Sequence, residues 1–112
     1  MNQVLAKGWQ AMKHKPSISN DAEIIRELRD DPDFAAQYLN AAIEDTQEPA
    51  VLLMALRHVS EARGGLARVA KQAGIERESL YRALSPKGNP RLSTLTAVLK
   101  ALRMTIRLEP VG

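Results

Sequence analysis

The chain of 112 residues contains no cysteine, so no disulfide framework, thiolate zinc site or thiol nucleophile is open to it, which suits a reducing cytoplasm. Its longest apolar runs are far too short to cross a bilayer. The first residues, MNQVLAKGWQ, lack the apolar core of a secretory signal. Histidine is scarce as well. His14 and His58 stand alone, without a second imidazole or clustered carboxylates at ligand spacing, and His58 reads as an exposed or packed side chain rather than a ligand or base. No nucleophile with base and orienter, no phosphate loop and no metal cluster emerges. The expectations are no enzyme, no cofactor, no metal, no membrane and a cytoplasmic location.

What the chain does have is charge sorted along its length. Its formal net charge is only +3, but the distribution is uneven. Residues 1–19 carry Lys7, Lys13 and Lys15 and no acid. Residues 20–48 carry nine acids against Arg26 and Arg29, and residues 49–112 carry eleven Lys and Arg against four glutamates. The last part has the sign that meets phosphates, while the acidic part would be repelled by DNA and faces something else.

The size fits one domain with a tail. Residues 1–18, with Trp9, Gly8 and Pro16 and no clean period, read as a flexible basic arm, either trailing along a DNA backbone or a disordered terminus. Residues 19–48 form an acidic helical part. Asn20 followed by Glu23 resembles a capping box ahead of the stripe Ile24, Ile25 and Leu28. Asp31-Pro32-Asp33 starts a second helix, with a cap, a proline at the first helical position and an acid near the positive helix end. Its face of Phe34, Ala35, Tyr38, Leu39, Ala42 and Ile43 either packs in the core or forms a partner groove, in which case Phe34, Tyr38 and Leu39 are the candidate contacts. Residues 49–103 then read as one unit. Pro49 opens a helix with Leu52, Leu53, Leu56 and Val59 on its buried side, and Gly64-Gly65 stops it.

The informative stretch is Leu66 to Leu84, LARVAKQAGIERESLYRAL. Each half carries one apolar stripe at helical spacing, and Gly74 between them is suited to the positive φ just past a helix end. Ala70 is small where two helices approach, and Ile75 can plug the corner. This is the helix-turn-helix pattern, with Glu76 to Leu84 in the recognition slot, although a plain corner between two bundle helices shares it. A recognition helix there would present Arg77, Glu78, Ser79, Tyr81 and Arg82. Arg77 and Arg82 are the first candidates for guanine edges, with Lys87, Asn89 and Arg91 holding phosphates.

Ser85 to Pro90 holds two prolines and a glycine and reads as a loop. Leu92, Leu95, Val98, Leu99 and Leu102 then mark an amphipathic helix, capped by Ser93, expected to cover the back of both short helices. Residues 104–112 change period. Met104, Ile106 and Leu108 alternate with Thr105, Arg107 and Glu109 as in a strand, which in an all-helical domain must pair with a symmetry mate or with another protein's sheet edge, or else fray. Thr105, Ile106, Arg107 and Leu108 are the candidate dimer strand.

Four segments together, DPDFAAQYLNAAIED, EPAVLLMALRHVSEARG, LARVAKQAGIERESLYRALS and KGNPRLSTLTAVLKAL, resemble the helix-turn-helix antidote (antitoxin) proteins of addiction modules. The last two also resemble the wider lambda-repressor-like class. The resemblance implies an all-α, lambda-repressor-like domain of about six helices with a short C-terminal β-strand that pairs across a homodimer. It implies a type II antitoxin that neutralises a RelE-like toxin and represses its own operon by binding a palindromic double-stranded operator. A stand-alone helix-turn-helix regulator without a toxin is the alternative. One departure stands out: where such proteins commonly carry a capping serine, this chain has Glu76, a poor cap.

Overall fold

In the computed structural model the described residues are 18–44 and 48–112, with side chains from residue 21 onward. The basic arm expected over residues 1–18 lies outside them, apart from Ile18, which already belongs to the first helix. Among the described residues there are six helices and no strand: α1 (Ile18–Asp30), α2 (Pro32–Glu44), α3 (Pro49–Ala62), α4 (Leu66–Ala73), α5 (Arg77–Ala83) and α6 (Leu92–Ala101). The chain is all-α.

Local signals explain most of these boundaries. The Asp31 carboxylate accepts a hydrogen bond from the Phe34 backbone N–H at 3.0 Å, which satisfies one of the free donors at the start of α2, and Pro32 occupies the position where no donor is needed. Pro49 opens α3 in the same way, although Glu48 before it makes no side-chain cap bond. Two expected caps are corrected. Helix α1 already runs at Ile18, so Asn20 lies inside its first turn rather than ahead of it. Helix α6 is preceded by Arg91, and Ser93 sits in its second position, where its backbone carbonyl accepts from Thr96 Oγ1 at 3.1 Å. In both cases the helix gained turns from packing that a single cap residue does not record.

Helix α3 organises the fold. Helices α1 and α2 pack against it and against each other, α4 packs against its far end, and α5 and α6 both pack against α4. One apolar cluster runs through all six, from Leu28 in α1 through Tyr38, Leu56, Val69 and Leu80 to Val98 and Leu102. Burying a single leucine such as Leu80 or Leu84 stabilises the fold by about 1.5 to 3 kcal/mol. The acidic part and the basic part thus share one core.

The two open readings of the α2 face resolve in favour of packing. Phe34, Tyr38 and Leu39 are buried within this cluster, so as partner contacts they are corrected: no partner reaches them while α1, α2 and α3 stay together. Only Ile43 of that face is exposed. Leu92 likewise leaves the expected α6 stripe, standing 72% exposed at the first turn, because the helix it begins rests on α4 mainly through Leu95, Val98, Leu99 and Leu102. That contact also places α6 against α4 rather than across both short helices.

Past α6 the chain turns at Arg103, whose φ of 61° is left-handed, and Met104 N–H donates to Leu99 O at 2.8 Å. Residues 104–112 then form neither helix nor strand. The alternating segment makes no strand within the single chain, for the reason its pattern suggested: a strand needs a second strand to take its peptide groups, and none exists among the described residues.

Candidate nucleic-acid interface

Helices α4 and α5 are joined by Gly74, which sits at φ 72° and ψ 30°. Its left-handed turn lets Ile75 N–H reach back to Ala70 O at 2.9 Å and close the end of α4. A Cβ at Gly74 would meet nothing within 4 Å, so glycine is required here by backbone conformation and not by crowding. Glu76, at the N-cap of α5, is extended and makes no side-chain cap bond. The helix is held in place by its other face, where Leu80 and Leu84 are completely buried.

With Leu80 and Leu84 inward, the helical spacing turns Glu78 and Arg82 outward, with Arg77 and Tyr81 along one flank and Ser79 along the other. Arg77, Glu78, Tyr81 and Arg82 are exposed and Ser79 is partly so. The Arg77 guanidinium lies over the Tyr81 ring, 5.9 Å from its centroid. This cation–π contact one turn apart restrains a long side chain that would otherwise sample many rotamers. The loop after α5 folds back on its end. A Cβ on Gly88 would stand 2.1 Å from Ala83 O, an impossible approach, so only glycine lets the loop lie this close. Lys87 and Asn89, on either side of it, are exposed, as is Arg91 before α6. The structure therefore gathers Arg77, Glu78, Ser79, Tyr81, Arg82, Lys87 and Asn89 onto one helix and the loop packed against its end.

A second constellation lies behind this surface. The Tyr38 hydroxyl and His58 Nδ1 are 2.7 Å apart, and His58 Nε2 lies 3.5 Å from Asp21 Oδ1. Burial pushes the Tyr38 phenol well above its ordinary value, with Asp21 adding to the effect. Burial also lowers the His58 pKa from 6.5, opposed by Asp21 and reinforced by the Arg57 charge. A protonated phenol and a neutral imidazole fix the roles: Tyr38 donates to Nδ1, and Nε2–H points at Asp21. One hydrogen-bonding line thus joins α2, α3 and α1. Next to it, Arg57 Nη1 donates to Leu84 O at the C-terminal end of α5, where a cation meets the negative end of the helix dipole. Burial lowers the Arg57 pKa from its ordinary value and Asp21 opposes the shift. Sequence reasoning missed Arg57, and no local signal points to it, since its partner lies 27 positions away.

Known proteins place the chain further. A family described as "probable addiction module antidote protein" matches residues 20–110. An uncharacterized protein of Haemophilus influenzae is 41% identical over 73 residues, a span of 64% of this chain and 72% of the relative. No solved structure matches. The family match takes in all six helices except the first residues of α1, the exposed face of α5 and its loop included, and the chain accordingly belongs to the addiction-module antidote family.

Proposed function

We propose that this antidote is a DNA-binding repressor of its own operon, built on a lambda-repressor-like helix-turn-helix, and that it neutralises a RelE-like toxin encoded beside it. The observation that carries the DNA reading is the short helix α5, braced by Leu80, Leu84 and Arg57 and presenting Arg77, Tyr81 and Arg82 beside the Lys87–Asn89 loop. Phosphate contacts from Lys87, Asn89 and Arg91 would set the register of the protein on the duplex, and Arg77 and Arg82 would read guanine O6 and N7. Stacking on Tyr81 holds the Arg77 fork in a plane suited to bidentate contact. A homodimer on a palindromic operator completes the reading, with Thr105 to Leu108 pairing across the two-fold axis. Ile106 and Leu108 are exposed in the single chain, Leu108 at 91%, as an unpaired strand would leave them. A cytoplasmic site of action follows, and the chain carries out no catalysis. Family membership supports a toxin partner over the alternative of a stand-alone regulator.

Binding to a labelled fragment of the protein's own upstream region at low salt tests the DNA reading, with a discrete shifted complex expected. Co-purification with the product of the adjacent reading frame tests the antidote reading. Absence of the shift removes the repressor, and absence of the complex favours the stand-alone regulator.

A further inference from the structure

A cavity of about 340 Å³ opens between α1, α3 and the first residue of α4. Ile25, Met54 and Leu66 give it apolar walls, and Asp21, His58 and Glu61 line it with polar groups. Resting on the antidote reading, we propose that this cavity is a docking point for the toxin and receives one of its lysine or arginine side chains, the cationic head held between Asp21 and Glu61.

The chemistry of the cavity calls for a donor. Asp21 Oδ1 has no accessible surface and accepts no hydrogen bond. The nearest donor, His58 Nε2–H at 3.5 Å, is beyond hydrogen-bonding range and is engaged through its other nitrogen with Tyr38. Arg57 also lines the cavity, but it donates to Leu84 O, where it serves the end of α5. A carboxylate oxygen buried without a donor is costly, and an incoming ammonium or guanidinium removes that cost by a charge-assisted bond. Glu61 is exposed at the rim, so a second carboxylate waits on the solvent side. The apolar walls suit the alkyl stem of Lys or Arg, whose methylenes pack while the head stays polar. The volume lies at the low end of the ~300 to 1,000 Å³ typical of small-ligand pockets, a size for one side chain rather than a helix. The surroundings favour a cation over an anion, because residues 21–44, which form most of α1 and α2, carry seven acids against two arginines.

Two measurements on the full chain test the proposal. The first is a nuclear magnetic resonance titration with agmatine, a guanidinium on a four-carbon stem. The expected result is a saturable shift of the His58 ring and Glu61 amide signals, weakened about tenfold or more in Asp21→Asn and in Glu61→Lys. A cavity that holds only water gives no saturable shift, and that result, or an equal shift in both variants, overturns the proposal. The second is the affinity of the chain for the product of the adjacent reading frame. Both variants should bind it at least tenfold more weakly while their helical content and thermal unfolding match the parent. A complex that forms with undiminished affinity in both variants overturns the docking point and leaves the antidote reading intact. If the parent chain forms no complex at all, the antidote reading fails and the partner named here fails with it.

Discussion

His58 is the residue whose surroundings depart furthest from what its isolation in the sequence suggests. It is buried, bonded to Tyr38 and directed at Asp21, with Arg57 and Glu61 near it on α3. Its pKa is lowered in the folded chain, chiefly by burial, so the folded state binds its proton more weakly than the unfolded state does. Stability from this group is therefore fully present above the unfolded value near 6.5 and is lost as pH falls through that value toward the folded one. Between about pH 7.5 and 5.5, denaturant unfolding should show stability falling with acidification, with a slope from this one proton of at most about 1.4 kcal/mol per pH unit. His58→Gln should flatten that slope, and a slope unchanged in the variant would show that other groups set it. At this scale the sequence reveals a residue only when its partner is close by. Asp31 is readable as a cap because Phe34 N lies three positions on, whereas Tyr38 and His58 meet 20 positions apart, and Arg57 and Leu84 meet 27 apart.

Helix ends show the same division between local chemistry and packing. Gly74 is legible because a left-handed residue between two stripes has few alternatives to glycine. Arg103 is not. It closes α6 with a φ of 61° and with Met104 N–H bonded to Leu99 O, the geometry usually given to glycine. A non-glycine residue in this conformation costs about 1 kcal/mol, so Arg103→Gly should raise stability by roughly 0.5 to 1 kcal/mol, seen as a higher thermal midpoint. A lower midpoint would mean that the arginine side chain contributes more than the backbone strain costs. The apolar period locates α6 but overcounts its buried side. Leu92 fits the repeat and still stands in solvent, because periodicity gives the face and not how far along the helix the neighbouring α4 extends.

For the whole molecule, the order of helices and the sorting of charge are readable, but the sharing of one core between acidic and basic parts is not, because contacts between α1 and α3 are long-range. The alternation of Met104 to Glu109 is equally readable, yet its partner strand is absent from the single chain. If the segment pairs about a two-fold axis, the full chain sediments as a dimer at micromolar concentration, and Ile106→Asp with Leu108→Asp converts it to a monomer. A parent chain that is monomeric, or a variant that stays dimeric, removes that pairing. Dimerisation matters because it would double the surface formed by α5 and its loop, on which DNA recognition rests. The most direct test of that recognition is the affinity of the parent chain and of the Arg77→Ala, Arg82→Ala double variant for the upstream fragment, followed across a salt series. The expected result is an affinity weaker by about 1 to 3 kcal/mol for each guanine no longer read, with a salt slope shallower by about one unit for each phosphate no longer neutralised. Equal affinity and equal slope for the two proteins would contradict a role for α5 in reading DNA.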